Sequence, residues 1–275
     1  MLITRVFSAV VIVAVTALFV YLGGLPFAAF IVAIAAMAAY EFSRMLSLRG
    51  FSPFTWAAVA LTVAFVGDAA LGYDVWRWAI AGAALLPLFW LVFGKREMPQ
   101  SLLDWSVTYA GPLYVGVPLS HFVLLRGMNA GQPWGGVAPG LWWVALAILG
   151  TWASDTGAYL IGSAFGRRGF MTHISQRKTW EGAIGGTALC IVVVASMGVF
   201  ILGIAPVLAV VLGVLLGIVA IIGDLAESVL KRGAGVKDSG ALIPGHGGML
   251  DRIDSLIFTG VLVYYFALLV QAIGG

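Results

Sequence analysis

Two segments of this sequence carry polar side chains that could perform chemistry on phosphate groups. In the longer segment, four side chains lie at offsets of 0, 3, 4 and 7, which share one face of an α-helix: Asp224, Glu227, Ser228 and Lys231. Asp251 and Asp254 repeat the first two offsets where a later apolar run begins. Two helix ends are therefore expected to present carboxylates to one cavity. Carboxylate and hydroxyl oxygens suit a hard divalent ion such as Mg²⁺, so Asp224, Asp251 and Ser228 are candidate metal ligands.

The stretch between these helix ends is rich in glycine and in basic side chains. Gly247 and Gly248 offer backbone N–H groups to phosphate oxygens, and His246 could donate to them or serve only as a turn residue. The basic residues are Lys231, Arg232, Lys237 and Arg252. Metal ligands beside phosphate donors predict a metal-assisted phosphoryl or nucleotidyl transfer site.

A second basic segment, residues 167–182, is a candidate part of the same site. Its candidate substrate-binding side chains are Ser175, Lys178, Thr179 and Glu181. Asp155, inside the preceding apolar run, joins them because ionisable residues within membrane segments usually serve a function. A cytoplasmic loop that only fixes topology would have the same basic character, so that alternative stays open at this point.

Structural roles compete with several of these assignments. Asp224 could pair with Lys231 in helix packing, and Asp254 could stabilise the start of its helix, where carboxylates are favoured. Glu41, at the end of the second apolar run, is interpreted as an interfacial residue paired with Arg44.

Other catalytic classes lack their sequence signatures. The sequence has no Walker A pattern, as a P-loop kinase would require, and no nucleophile elbow of a serine hydrolase. Cys190 is its one cysteine, so neither a cysteine-based zinc site nor a disulfide scaffold is expected.

The composition identifies the environment of this chemistry. Hydrophobic residues make up 61% of the 275 positions and charged residues 10%, whereas soluble chains are about half apolar and a quarter charged. The apolar runs are continuous and about 20 residues long, which predicts membrane-spanning helices and not a β-barrel. We therefore expect an all-α polytopic membrane protein with no nucleic-acid partner.

Nine apolar segments are predicted to span the membrane as helices. They are residues 6–22, 26–46, 54–72, 76–94, 105–125, 138–161, 182–202, 206–230 and 253–273. Small residues in the seventh segment, Gly182, Gly185 and Gly186, would let it approach a neighbouring helix closely. We expect one integral membrane domain, residues 1–275, with scaffold and dimer helices in residues 1–135 and catalytic helices and loops in residues 136–275.

Basic residues predict the orientation of these helices. If the amino terminus is cytoplasmic, 13 of the 15 basic residues lie on the cytoplasmic side: Arg5, Arg44, Arg49, Lys95, Arg96, Arg167, Arg168, Arg177, Lys178, Lys231, Arg232, Lys237 and Arg252. Cytoplasmic loops of membrane proteins carry an excess of Lys and Arg. The carboxyl terminus is then expected outside, and both polar segments are expected in the cytoplasm.

The longer polar segment resembles a known family signature. Residues 228–254, from Ser228 through Gly-His-Gly-Gly to Asp254, resemble the signature of phosphatidate cytidylyltransferases, also called CDP-diacylglycerol synthases, at every fixed position. Residues 154–159 and 174–182 are similar to further pieces of that family. The second piece departs from the family at Gln176-Arg177, where Pro-Lys is usual, and this puts Gln176 in doubt as a functional position.

The resemblance implies a reaction and its cofactors. CTP and phosphatidic acid would give CDP-diacylglycerol and pyrophosphate in phospholipid biosynthesis, with Mg²⁺, at the cytoplasmic face of a bacterial cytoplasmic membrane. It also implies a homodimer and a two-metal centre at Asp224 and Asp251, with K⁺ as a candidate second cation. Lys231, Lys237 and Arg252 would complete the catalytic set by stabilising charge on the leaving pyrophosphate.

Two other functions compete with this one. A CTP-dependent transferase or kinase could act on another membrane lipid, such as a polyprenol. A secondary transporter would place its charges near the midplane of the membrane in inverted repeats. This sequence instead gathers its charges at predicted cytoplasmic helix ends and has no evident repeat, which argues against transport.

The nine-span topology predicts the location of each loop. Reporter fusions after residues 130, 175, 240 and 275 should report outside, inside, inside and outside, because the basic residues favour the cytoplasm. A cytoplasmic signal from the fusion at residue 275 would contradict the nine-helix count.

Overall fold

The protein is described by a computed structural model that covers residues 2–72, 98–131, 134–240 and 247–274, with positions 82, 85, 87, 88, 91 and 92. Every regular element in these ranges is a helix, which confirms the predicted all-α class. The predicted span 76–94 and the predicted donor His246 fall wholly or largely outside the described residues.

The helices follow the apolar segments of the sequence. In chain order they are α1 (Leu2–Leu22), α2 (Gly24–Ser47), α3 (Thr55–Leu71), α4 (Met98–Gly111), α5 (Val117–Arg126), α6 (Pro139–Phe165), α7 (Trp180–Phe200), α8 (Pro206–Gly233) and α9 (Leu250–Gly274). A π-helical turn, Pro112–Gly116, connects α4 to α5. Proline has no N–H to donate to the preceding turn, and this accounts for the local widening.

Five of the described helices, α2, α6, α7, α8 and α9, are long and apolar enough to cross a membrane. Two shorter apolar helices cover Ser8–Leu22 and Thr55–Leu71. These helices agree with an integral membrane protein, because about 20 apolar residues in helical form cross the hydrocarbon layer.

The chain divides into two compact units. The first contains Met1–Val123 and Lys231–Ile253, and the second contains Leu124–Leu230 and Asp254–Gly275.

In the first unit, α4 fixes the connection between α2 and α3. Asp104 Oδ1 accepts the Ser52 N–H at 2.7 Å, and Thr108 Oγ1 accepts the Phe54 N–H at 2.9 Å. Asp104 and Thr108 are fully buried. Polar groups in the interior need such hydrogen bonds, so these two side chains set where the α2–α3 connection lies.

In the second unit, α6 and α7 pack through glycines. A Cβ atom on Gly157 would lie 2.7 Å from the Gly185 carbonyl oxygen, and one on Gly186 would lie 2.6 Å from the Ser154 carbonyl oxygen. Only glycine allows two backbones to approach this closely. The expected role of the glycines in the seventh apolar segment is therefore confirmed, and this packing brings the start of α7 against α6.

A side chain at Gly186 should force α6 and α7 apart. We expect Gly186→Ala to lower the free energy of unfolding by about 1–3 kcal/mol, the usual cost of overpacking. Gly67→Ala in α3 is the control, because a Cβ there meets nothing within 4 Å. Since alanine stabilises helices relative to glycine, this control should unfold at the same temperature or higher. The measurement is thermal unfolding in one detergent, and an unchanged midpoint for Gly186→Ala would refute the packing role.

Candidate active site

The second unit contains a cavity of about 510 Å³ that is bordered by α6, the α6–α7 connection, α7 and α8. Its polar lining includes five residues predicted from the sequence: Asp155, Ser175, Lys178, Thr179 and Asp224. Ser154, Ser163 and Arg177 also line it, and Tyr159, Phe170 and Ile221 add apolar surface. Cavities of this size, with a few convergent polar groups, are typical of small-molecule sites.

An ion pair lies in the wall of this cavity. Lys178 Nζ is 2.8 Å from Asp224 Oδ2, and the two side chains are 19% and 39% exposed. Partly exposed pairs of this kind contribute about 0–1 kcal/mol, so a charged ligand can rearrange them at small cost. Ser228 Oγ lies 3.5 Å from Asp224 Oδ1, at the limit of a hydrogen bond.

The start of α7 fixes the position of Lys178. Thr179 caps the helix, because its Oγ1 accepts the Gly182 N–H at 3.1 Å. Glu181 Oε2 accepts the N–H groups of Arg167 and Arg168 at 3.1 and 3.2 Å. Glu181 therefore holds the α6–α7 connection, and it is not among the residues that line the cavity.

Asp251, in the first unit, is enclosed by hydrogen-bond donors. Its Oδ1 accepts from Lys231 Nζ at 2.7 Å. Its Oδ2 accepts from Ser239 N, Ser239 Oγ and Gly248 N, each at 2.9 Å. The exposed fractions of the Lys231 and Asp251 side chains are 13% and 7%. Four donors hold this carboxylate in one orientation and stabilise its negative charge.

The two glycines predicted to bind phosphate contact Asp251 in this structure. Gly248 donates its N–H to Asp251 Oδ2. Gly247 adopts φ of +80°, and a Cβ atom there would lie 2.9 Å from Asp251 Oδ2. The two glycines thus allow the loop backbone to approach the Asp251 carboxylate. The spacing of the glycines in the sequence did not predict this contact.

The remaining predicted residues differ in their exposure to solvent and in their partners. Arg232 is exposed, and its Nη1 donates to the Val236 carbonyl at 3.3 Å. Lys237 and Arg252 are exposed. Glu227 was predicted on the same helix face as Asp224. It is fully buried, whereas the Asp224 side chain is 39% exposed. Asp224 and Asp251 belong to different units, and each has its own lysine partner.

Glu41 was misinterpreted from the sequence. It is 5% exposed, and its Oε2 accepts the N–H of Leu250 at 2.9 Å, so the expected interfacial pairing with Arg44 is wrong. The signal that could have identified it is a carboxylate within a long apolar run, which by default marks a functional position.

Matches to known proteins extend over most of the chain. A profile of the cytidylyltransferase family matches residues 3–270. A phosphatidate cytidylyltransferase of Synechocystis sp. is 35% identical over 285 residues, with 96% of each chain covered. Phosphatidate cytidylyltransferases of Brucella suis and Bacillus subtilis are 34% and 30% identical, covering 96% and 95% of this chain and 92% and 96% of their own. By these matches, this chain belongs to the cytidylyltransferase family.

Proposed function

We propose that this chain is a CTP:phosphatidate cytidylyltransferase, which transfers CMP from CTP to phosphatidic acid. Its products are CDP-diacylglycerol, a precursor for phospholipid biosynthesis, and pyrophosphate. Besides family membership, one observation carries the proposal. The cavity of the second unit is lined by the cations Arg177 and Lys178 and by the carboxylates Asp155 and Asp224. A site for polyanionic substrates and a hard cation needs both kinds of group.

The reaction needs charge compensation more than it needs a base. A phosphate oxygen of phosphatidic acid attacks the α-phosphorus of CTP, and the bond from that phosphorus to the bridging oxygen of pyrophosphate breaks. The attacking phosphate is already ionised at neutral pH, because the second pKa of a phosphomonoester is about 6. The main barrier is repulsion between two polyanions, together with the charge that develops on the pyrophosphate.

Lys178 is suited to bind a substrate phosphate. Its ammonium group lies in the cavity wall, where the partners that the described residues supply are Asp224 and, at 3.5 Å, the Ile221 carbonyl oxygen. When a triphosphate enters, the ammonium group can exchange a carboxylate oxygen for a phosphate oxygen. Thr179 and Ser175 line the same wall and can donate hydroxyl hydrogen bonds.

Mg²⁺ fits the donor set around Asp224. Among the described residues, no three His, Cys, Asp or Glu side chains group closely enough to enclose a metal. Mg²⁺ commonly binds through one or two carboxylates together with water and substrate phosphates, so a complete protein cage is not required. Asp224 and Ser228 would hold the ion, which would supply positive charge to the phosphates when bound.

The assignments that involve the first unit rest on the family resemblance. We retain Asp251 as a second metal ligand and Lys231, Lys237 and Arg252 as catalytic cations. Glu181, Arg232, His246, Gly247 and Gly248 remain proposed substrate-binding residues. The resemblance also supports K⁺ as a candidate second cation.

We further propose how the enzyme is arranged in its membrane. The chain is an integral protein of a bacterial cytoplasmic membrane, with nine spans, a cytoplasmic amino terminus and its active site on the cytoplasmic face. It is one membrane domain, residues 1–275, in which residues 1–135 support a homodimer and residues 136–275 carry catalysis. A lipid substrate suits this arrangement, because the acyl chains can stay in the bilayer while the headgroup enters the site.

Purified protein should form CDP-lipid and pyrophosphate from labelled CTP, Mg²⁺ and phosphatidic acid. Lys178→Gln should lower turnover by about 10²-fold, the usual effect of losing one positioned charge-stabilising donor. Arg44→Gln, which removes a predicted cytoplasmic charge outside the site, should keep normal turnover. Near-normal turnover of Lys178→Gln would mean that its loop only anchors topology. Labelling of a polyprenol and not of phosphatidic acid would contradict the proposed substrate.

Loss of either metal-assigned carboxylate should abolish turnover. Asp224→Asn and Asp251→Asn keep the size of the side chain but remove the charge that attracts Mg²⁺. The double variant should be scarcely slower than either single one, because residues that act as a unit are not additive. Mn²⁺ binding, followed by electron paramagnetic resonance, should weaken in both single variants and stay unchanged in Asp238→Asn, an exposed loop aspartate. Substantial turnover of Asp251→Asn would remove that residue from the metal site.

A further inference from the structure

Glu41 is a buried carboxylate that links α2 to the start of α9. Its Oε2 accepts the N–H of Leu250, the first residue of α9, at 2.9 Å. This N–H cannot be satisfied within its own helix, so Glu41 acts as a cap that comes from a different helix. The Glu41 carboxyl group also lies at the positive end of the α9 dipole.

The same carboxylate is connected to Asp251 through one hydroxyl group. Ser239 Oγ lies 3.2 Å from Glu41 Oε2 and 2.9 Å from Asp251 Oδ2. Ser239 also donates its backbone N–H to Asp251. Glu41, Ser239 and Asp251 therefore form a chain of hydrogen bonds within the first unit, in which the single Ser239 hydroxyl hydrogen is donated to one carboxylate at a time. Lys231 holds the other oxygen of Asp251.

Two glycines, Gly240 and Gly248, provide the space for this chain of hydrogen bonds, because neither has a Cβ atom. A Cβ atom on Gly240 would lie 2.6 Å from Glu41 Oε1. A Cβ atom on Gly248 would lie 2.2 Å from Ser239 Oγ and 2.5 Å from Glu41 Oε2. These distances are far below van der Waals contact, so a side chain at either position would displace the Glu41 carboxylate. At Gly248 it would also lie 2.8 Å from the Gly240 backbone nitrogen.

We propose that Glu41 is a positioning residue for Asp251, acting through Ser239 and the first turn of α9. This inference rests on the proposed function, in which Asp251 belongs to the catalytic machinery. Glu41 touches neither substrate nor metal in this account. It sets the position of two donors to Asp251. One is Ser239, and the other is the N–H of Gly248, two residues before Leu250.

Replacement of Glu41 should lower kcat with little effect on KM. In Glu41→Ala, Ser239 and the α9 start lose their common acceptor, and a displacement of about 1 Å at a catalytic group can cost on the order of 10²-fold in rate. Glu41→Gln keeps an oxygen that can accept the Leu250 N–H, so it should restore most of kcat. The KM for CTP should change little in both variants, because neither removes a group that binds the nucleotide.

Hydrogen exchange gives a readout that does not depend on activity. The Leu250 amide should exchange faster in Glu41→Ala than in the unmodified protein, and Glu41→Gln should slow it again. Ser43→Ala is the matched control, since Ser43 is a buried α2 residue outside this chain of hydrogen bonds and should change neither quantity.

The outcomes separate the inference from the proposed function. Absence of CDP-lipid formation by the unmodified protein would refute the proposed function, and normal kcat in Glu41→Ala would refute the positioning role alone. If Glu41→Ala does not insert stably, the Ser239→Ala variant tests the positioning role instead. It removes the hydroxyl group between Glu41 and Asp251 and keeps the hydrogen bond from the Leu250 N–H to Glu41. A loss of kcat of about tenfold or more is then expected, in line with the loss of a charge-assisted hydrogen bond. Unchanged kcat would overturn the proposal.

Discussion

A carboxylate that apolar protein encloses, fully or in part, must be met by donors or by a cation. The surroundings of Asp251 in the first unit and of Asp224 in the second follow from this constraint. Burial of an unpaired charge costs several kcal/mol, and in a membrane protein few water molecules are available to reduce that cost. Asp251 meets the constraint with four donors, and Asp224 meets it with Lys178. Each aspartate therefore has hydrogen-bond donors or a cation beside it before any substrate arrives.

The two aspartates satisfy this constraint in different ways, and the difference suggests different duties. Asp251 is 7% exposed and is held by the backbone and side chains around it, so its position is fixed in advance. Asp224 is 39% exposed, and its partner is a flexible lysine in a cavity wall. Such a pair can open when phosphate and a metal ion offer each residue a new partner. Under the proposed function, a fixed carboxylate at Asp251 and an exchangeable ion pair at Asp224 would each serve a transfer between two polyanions.

Glycine makes both arrangements possible by allowing backbones to approach closely. At Gly157 and Gly186 it brings α7 against α6, and Thr179, which caps α7, and Lys178 come directly before this helix. At Gly240 and Gly248 it allows a loop to close around the Glu41 carboxylate. In each case the absence of a glycine side chain makes room that helps to place a charged or acidic residue, Lys178 in the first case and Glu41 in the second.

The sequence predicted the all-α class because apolar length is a strong signal, while the nine spans stay a prediction. Lys178, Thr179 and Asp224, three of the candidate residues, line one cavity of the second unit, and their roles stay predictions. The sequence did not predict that Gly247 and Gly248 contact Asp251, because glycine spacing reports backbone freedom and not the group that uses it. Glu41 was assigned wrongly to Arg44 because a nearby residue of opposite charge is an obvious partner along the chain. Its actual partners, Ser239 and Leu250, lie about 200 positions away, and only the folded structure brings them together.

In the proposed reaction, the Lys178–Asp224 pair opens to bind the substrate phosphates and a metal ion. This opening is tested most directly by an experimental structure of the protein with Mg²⁺ and a CTP analogue that cannot be cleaved between its α- and β-phosphates. We expect triphosphate oxygens within hydrogen-bond distance of Lys178 Nζ and a cation on Asp224. A bound triphosphate away from this cavity, with the Lys178–Asp224 ion pair intact at 2.8 Å, would contradict the account.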